Sequence, residues 1–172
     1  MSLYETLEYE VVKLFDKSIS IRRYPSFTIA KTLTTVDEKL TGGFMDVFDY
    51  ISGKNDQNQK IKMTTPVIST VDDQTLTTAF VMPKKLIEQP TPFNNNVAIE
   101  HVNEDYFIVI TFKGTLTNKT LNKYDSILKD VIKDEQLITD NKRYILRYQP
   151  PFLPGFLKRN EIMYQVLYEE NN

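Results

Sequence analysis

The chain has 172 residues, with 21 basic and 23 acidic side chains and no cysteine. Its length suits a single domain with its own core. The lack of cysteine excludes disulfides, thiolate metal ligands and a cysteine nucleophile. The nearly neutral charge shows no basic stripe, so we expect no nucleic-acid partner. Neither a signal-peptide segment nor an apolar run approaching about 18 residues is present, so we expect a cytoplasmic protein with no membrane partner.

Alternation of apolar and polar residues predicts three strands at the start of the chain. They are Glu8–Phe15, Ile19–Tyr24 and Phe27–Leu33. The period then changes to that of a helix, whose stripe is Leu40, Phe44, Val47, Phe48 and Ile51. Asp37 is a candidate N-cap for this helix, and Gly53 fits its end. Two more strands are predicted, Ile61–Val71 and Leu76–Met82.

The same order of elements returns after a loop rich in Pro and Asn. Strands are predicted at Val97–Val102, Tyr106–Phe112, Arg143–Tyr148 and Glu161–Tyr168, with a helix capped by Thr117 between the second and the third. We therefore expect one domain, 1–172, with pseudo-repeats at about 8–88 and 97–169. The predicted class is α+β. Two strand-helix-strand units would form a distorted, mostly antiparallel β-barrel flanked by two α-helices.

The densest motif of the chain is Gly43–Val67, GFMDVFDYISGKNDQNQKIKMTTPV. Other motifs follow in a fixed order: Tyr9-Glu10-Val11, Ile21–Tyr24, Val81-Met82-Pro83, Tyr106–Gly114, Tyr148 with Pro150-Pro151, and Arg159-Asn160-Glu161. This set resembles the SOUL family of heme-binding proteins over nearly the whole chain. The resemblance implies a two-repeat α+β barrel and a heme or other tetrapyrrole ligand. The fold is shared with bacterial effector-binding domains of the gyrase-inhibitor type, which bind small, often cationic or aromatic molecules.

The resemblance also bears on the iron ligand. One branch of the family ligates iron through a histidine just before the tyrosine of the second strand, where this chain has Arg23. A guanidinium has no lone pair free for iron, so a histidine ligand is excluded at this position. Arg23 is instead a candidate partner for a propionate, or part of an ordinary ion pair. His101, the only histidine, is either an iron ligand or an ordinary strand-end residue.

Relatives without the axial histidine hold the ring against the first helix, which makes Phe44 and Phe48 candidate ligand contacts. The helical stripe is equally explained by core packing, which we favour for Val47 and Ile51. Basic positions of those relatives match Thr41 and Asp49 here. Asp49 would repel a propionate, which favours the alternative of an effector-binding module for a neutral or cationic amphipathic molecule. Met63 is a candidate groove-lining residue.

The loop Pro150–Leu157, PPFLPGFL, is apolar for a loop. Phe152 and Leu153 are candidate ligand contacts. A relative has a lysine at a loop position that falls close to Leu153 in this chain, and Lys158 is a candidate replacement for that lysine. The loop could also dock a protein partner through Phe152–Phe156, or close the end of the barrel as a packed crossover.

Catalytic constellations are missing from the sequence. Acidic pairs such as Asp72-Asp73 and Glu104-Asp105 are adjacent and lie in predicted turns. No Ser-His-acid set, phosphate-binding glycine loop or metal-spaced cluster occurs. The sequence therefore predicts a non-catalytic binding protein for a small molecule.

Overall fold

A computed structural model describes residues 3–37, 39–150 and 152–171. Its elements in chain order are β1 (Glu5–Thr6), β2 (Glu10–Leu14), β3 (Ile19–Tyr24), β4 (Phe27–Thr35), α1 (Phe44–Ile51), β5 (Thr64–Thr65), β6 (Val67–Asp72), β7 (Thr75–Val81), β8 (Ala98–Val102), β9 (Asp105–Lys113), α2 (Asn118–Asp134), β10 (Arg143–Arg147), a 3₁₀ turn (Gly155–Leu157) and β11 (Arg159–Gln165). They form two compact units. The first comprises Met1–Leu7 and Ser26–Asn103, and the second comprises Glu8–Pro25 and Glu104–Asn172.

The first unit is an antiparallel sheet with one helix. Its strands lie in the order β6-β7-β4-β8, and α1 packs on β4 and β7. The short strands β1 and β5 pair in parallel beside it. Its core joins the inner face of α1 to the sheet and contains Ala30, Val47, Tyr50, Ile51, Ile61, Phe80, Met82 and Val97. We call this set the α1 core.

The second unit repeats the arrangement of the first. Its strands lie in the order β10-β11-β9-β3-β2, and α2 packs on β9 and β11. In both units the chain runs strand, helix, hairpin, as β4-α1-β6-β7 and as β9-α2-β10-β11. The fourth strand of the first unit, β8, follows its hairpin in sequence. The matching strand of the second unit, β3, precedes everything else in that sheet except β2, and it pairs with β9 through Ile19 and Ile110.

The predicted α+β class and the duplicated strand-helix-strand units are confirmed. The second helix begins as expected, because the Thr117 side chain accepts the Thr120 N–H at 3.2 Å and Thr120 Oγ1 accepts the Thr117 N–H at 2.9 Å. The repeat boundaries stay a prediction, since the compact units divide the sequence differently: β2 and β3 lie in the second unit, and β8 lies in the first. Pro151 of the predicted loop lies outside the described residues.

The start of the first helix was predicted wrongly. Asp37 is not its N-cap, because α1 begins at Phe44 after Gly43, which has a φ of 76°. Asp37 instead accepts the N–H groups of Lys39 at 2.9 Å and of Gly42 at 2.8 Å, so it organises the turn before the helix. Leu40 is buried, but its φ of 53° places it outside the helix. The predicted end is confirmed, since Gly53 follows the C-cap with a φ of 116°.

No helix in the described part of the chain is both long and apolar enough to cross a bilayer.

Candidate functional site

The candidate site in the first unit is built on α1. The helix is only eight residues long, so its stability depends on the apolar face that it packs on the sheet. Val47, Tyr50 and Ile51 form that buried face. Tyr50 also donates its hydroxyl hydrogen to the Pro90 carbonyl at 2.7 Å, which ties the helix to the loop after β7. Burial raises the pKa of Tyr50 to about 12, so this hydroxyl stays a donor at neutral pH.

Two phenylalanines lie at the border of the buried face of α1. The rings of Phe44 and Phe48 are 6.1 Å apart and nearly parallel, with an interplanar angle of 13°. Phe44 also contacts Phe80 of β7 at 5.1 Å between ring centroids. Phe44 and Met63 pack against the α1 core, whereas Phe48 keeps 36% of its surface exposed. The helix therefore presents part of the Phe48 ring to solvent, with the Phe44 ring beside it.

The segment before α1 is fixed by one carboxylate and one glycine. The Asp37 carboxylate accepts the Thr41 N–H at 3.2 Å as well as those of Lys39 and Gly42. Burial alone would raise the pKa of Asp37, but these backbone donors outweigh it and lower the pKa. Gly43 approaches β4 so closely that a Cβ there would lie 1.9 Å from Thr32 Oγ1. Thr41 is exposed and, with its neutral side chain, supplies no charge to the site.

The acidic residue of α1 does not act alone. Asp49 accepts a hydrogen bond from Lys54 Nζ at 2.8 Å. The turn that follows is fixed by Asn55, which has no exposed surface and whose Nδ2 donates to the carbonyls of Tyr50 and Gln59 at 3.0 and 2.8 Å. The Ile61 N–H then donates to the Ile51 carbonyl at 2.7 Å, which holds the segment against the helix end.

A shallow depression of about 210 Å³ opens beside that helix end. Its walls carry three exposed lysines, Lys60, Lys62 and Lys85, and its apolar floor includes Ile61 and Leu86. We call it the lysine depression. The sequence reasoning missed it, because its two walls come from segments separated by three strands, β5, β6 and β7. A usable signal was the recurrence of lysine at 60, 62, 84 and 85 in two polar stretches.

Four predicted site residues lie in the first unit: Thr41, Phe44, Phe48 and Met63. Phe44 and Met63 pack against the α1 core, and Phe48 stacks on Phe44. The other four lie in the second unit: Arg23, Phe152, Leu153 and Lys158.

Arg23 is engaged by carboxylates of its own unit. Its guanidinium forms an ion pair with Glu10 and lies 3.7 Å from Glu170, with about a third of the side chain exposed. These contacts are those of an ordinary partly exposed ion pair.

The neighbouring Arg22 belongs to a buried network that the sequence reasoning missed. Glu161 of β11 has no exposed surface, and its Oε2 accepts hydrogen bonds from Arg22 at 2.6 Å and from Arg159 at 3.0 Å. Thr111 donates to the same oxygen at 2.6 Å, and the Tyr148 hydroxyl donates to Oε1 at 2.5 Å. All of these residues come from motifs that carry the family resemblance, which was the available signal.

Opposing effects set the ionisation of this network. Burial raises the pKa of the Glu161 carboxyl, but the hydrogen bond and charge of Arg22, with the charge of Arg159, outweigh burial and leave the pKa below its usual range. Burial, followed by the charge of Glu161, raises the pKa of Tyr148 far above its usual value. The network is therefore a carboxylate compensated by two guanidiniums, with a tyrosine that keeps its proton.

The Pro-rich loop is open to solvent. Phe152 is 84% exposed and Phe156 is 74% exposed, whereas Leu153 is half-buried. The packed-crossover interpretation is therefore wrong for these two rings. Lys158 closes the loop, with its carbonyl accepting the Gly114 N–H at 3.1 Å.

His101 lies on β8 opposite Thr28 of β4 and is exposed. Among the described residues, no group of three or more His, Asp or Glu side chains could hold a metal ion.

Comparison with known proteins gives one family match and several relatives. The family model described as SOUL heme-binding protein matches residues 4–165. Heme-binding protein 2 of Homo sapiens is 28% identical over 138 residues, which cover 74% of this chain and 67% of the human protein. Heme-binding protein 2 of Mus musculus is 27% identical over 161 residues, which cover 87% of this chain and 78% of the mouse protein.

Solved structures share the fold at low identity. The EcmrR C-terminal domain has a TM-score of 0.67 at 10% identity and covers 92% of this chain and 98% of its own. A hydrolase from Listeria innocua has a TM-score of 0.60 at 10% identity, with coverage of 88% and 93%. Because the family match spans nearly the whole sequence, the chain belongs to the SOUL heme-binding protein family.

Proposed function

We propose that the protein binds heme, or another tetrapyrrole, beside α1 at the partly exposed Phe44 and Phe48, without an axial histidine and without catalysing a reaction. The observation that carries this proposal is the nearly parallel pair of Phe44 and Phe48, whose outer ring is 36% exposed. A flat conjugated ring gains both stacking and apolar burial on such a surface. The family match and the human and mouse relatives named heme-binding protein 2 support this class of ligand.

The magnitude of the contact limits what Phe48 can supply. Burying a whole Phe side chain contributes about 1.5–3 kcal/mol, and only about a third of this one remains to be buried. Micromolar binding requires about 8 kcal/mol. Most of the binding free energy must therefore come from burial of the ligand's own apolar surface and from polar contacts with its edge.

Iron coordination by histidine has no part in this proposal. Arg23 stands at the family's ligand position and pairs with Glu10, and the only histidine, His101, is exposed on β8. The ligand is held by its ring and its edge, so metal-free protoporphyrin should bind about as well as ferric heme.

The alternative effector-binding function for a cationic ligand loses its main argument. Asp49 favoured a cation only as an unpaired charge, and it is paired with Lys54. In the second unit, the buried Glu161 is already compensated by Arg22 and Arg159. A cation would have to displace one of these partners.

Titration with ferric heme, followed by the Soret band, tests the proposal. We expect saturable binding at about micromolar concentration. Phe48→Asp should weaken this binding at least about tenfold, because the tetrapyrrole ring would then cover and desolvate a carboxylate. The matched control is Ile127→Asp on α2, since Ile127 is 39% exposed and also lies on a helix. Absence of saturable binding to the wild-type protein, or equal loss in both variants, would refute the proposal.

A further inference from the structure

The lysine depression is a concave basic feature beside the α1 core. Its floor residue Ile61 belongs to the α1 core, and Leu86 packs against that core together with Phe44 and Met63. Lys62 immediately precedes Met63 in the chain. The same apolar cluster therefore supports aromatic side chains on α1 and a basic rim at the helix end.

The charges of this rim are available to a ligand. Lys60, Lys62 and Lys85 are exposed, and within the described residues none of them forms an ion pair with a carboxylate. Among the residues that the structure describes, none that lines the depression is acidic. Two other lysines of the unit are neutralised, Lys54 by Asp49 and Lys31 by Glu100. Three unpaired ammonium groups around one concavity favour an anion.

The walls are held in place before any ligand arrives. One wall is fixed by the buried Asn55 and by the Ile61 to Ile51 backbone hydrogen bond. The other wall is a turn in which the Leu86 N–H donates to the Pro83 carbonyl at 3.1 Å and Gln89 Nε2 donates to the Leu86 carbonyl at 2.8 Å. Because the backbone is preformed, the entropic cost of binding is limited to the cost of ordering the lysine side chains.

The size of the depression decides which part of a ligand it can take. Its volume of about 210 Å³ is smaller than the roughly 300–1,000 Å³ typical of sites that enclose a drug-sized molecule. It is therefore too small for a tetrapyrrole ring, but large enough for short carboxylate arms that extend from one. Its apolar floor suits the methylene groups of such arms, and its rim suits their charged ends.

We propose that Lys60, Lys62 and Lys85 receive the carboxylate groups of an anionic tetrapyrrole whose ring lies against α1. This inference rests on the proposed function and names the charged anchor of that site. It takes the place of the basic helix positions of relatives, where this chain has Thr41 and Asp49, and of the role suggested for Lys158. The cations come instead from the segments on either side of the β6–β7 hairpin.

The test compares ferric protoporphyrin IX with its dimethyl ester, which has the same ring but no carboxylates. The variant Lys60→Gln/Lys62→Gln/Lys85→Gln should weaken binding of the free acid by about 3- to 30-fold, as expected for three exposed ion pairs. Binding of the ester should change less than about twofold. The preference of the wild-type protein for the acid over the ester should shrink as salt is raised.

The matched control is Lys17→Gln/Lys119→Gln/Lys142→Gln. These lysines are exposed and belong to the second unit, and replacing them removes the same net charge. Thermal unfolding verifies that both variants are folded. If the wild-type protein binds the free acid but both triple variants bind it equally well, the lysine anchor is wrong and the proposed function stands. If the wild-type protein binds neither compound, the proposed function fails and the anchor fails with it.

Discussion

At the scale of single residues, the most constrained group is Glu161. Burying an ion pair costs hydration free energy that its Coulomb attraction only partly offsets. The presence of the pair is therefore weak evidence that it stabilises the fold. Removing one partner is different, because the other charge is left buried without compensation. Arg22, with a nearly buried guanidinium, would be such a charge if Glu161 were neutralised.

We predict that Glu161→Gln lowers the free energy of unfolding at pH 7 by about 3–5 kcal/mol. The amide keeps the size of the side chain but leaves the Arg22 and Arg159 guanidiniums without a counter-charge. Urea denaturation followed by circular dichroism measures the change.

The double variant Arg22→Met/Glu161→Leu is its control. It removes the two most buried charges and should be more stable than Glu161→Gln, since only the partly exposed Arg159 then lacks its counter-charge. A loss below about 1 kcal/mol in the single variant would show that water or another group compensates Arg22.

At the scale of elements, the junction between β4 and α1 depends on Gly43. Its φ of 76° is strained for any residue with a Cβ, and the space that a Cβ needs is taken by Thr32. Gly114 provides a comparison, because its φ is also positive, at 127°, but no described residue other than its chain neighbours lies within 4 Å of the position of its Cβ.

We predict that Gly43→Ala lowers the free energy of unfolding by about 2–4 kcal/mol, as the sum of backbone strain and overpacking against Thr32. Gly114→Ala should cost only the backbone strain, about 1–2 kcal/mol. Differential scanning calorimetry of both variants measures the difference. Equal melting temperatures would mean that β4 moves aside without cost, and the close approach would then not fix the helix position.

At the scale of the whole molecule, ionisation limits stability on both sides of neutrality. On the acid side, the pKa values of Glu161, Asp37 and Asp16 are lowered in the folded state, the last chiefly by hydrogen bonds from Ser18. On the alkaline side, burial raises the pKa values of Tyr24, Tyr50, Tyr148 and Tyr164.

The signs of these shifts predict a plateau of stability. A carboxyl with a lowered pKa stabilises the fold above its unfolded pKa, near 4, and this contribution disappears as the pH falls through the lower folded value. A tyrosine with a raised pKa stabilises the fold below about pH 10, and the contribution is lost as the pH rises towards the folded value. Unfolding free energy measured from pH 2 to 12 should therefore fall below about pH 4 and above about pH 10.

The variant Arg22→Met/Glu161→Leu separates the contributions on the acid side. Its unfolding free energy should fall less steeply below about pH 4, because one of the three carboxyls is gone. The fall above about pH 10 should be unchanged where it is due to tyrosines other than Tyr24 and Tyr148. An acid limb that is as steep as in the wild-type protein would contradict a role for Glu161 in acid unfolding.

Sequence patterns predicted both helices and the order of the longer strands, because these depend on nearby residues. The two-residue strand β1 was not predicted, and β5 was not separated from β6. Thr117 and Thr120 cap α2 across three positions, and Gly53 ends α1 one residue beyond its cap. The N-cap prediction for Asp37 was wrong because an aspartate that accepts backbone N–H groups gives the same local sequence pattern at a turn as at a helix start. The pairing of Phe44 and Phe48 on one side of α1 could be predicted from helical spacing alone.

The features that sequence patterns could not predict depend on distant residues. Arg22 and Glu161 are 139 positions apart, and periodicity gives no information on such a pair. The lysine depression joins Lys60 to Lys85 through the order of strands in a sheet. The assignment of β3 to the second unit and of β8 to the first follows from strand pairing that the repeated element order does not reveal.

The exchange of early and late strands has a consequence for synthesis on the ribosome. The strand that carries Arg22 emerges long before its neighbour β9 and before Glu161 of β11. Its guanidinium must stay hydrated until almost the entire polypeptide has been translated. A cut at the midpoint of the gene would give two fragments, and the later one would lack two strands of its sheet. We therefore expect such a fragment to depend on chaperones or on the missing peptide supplied in trans.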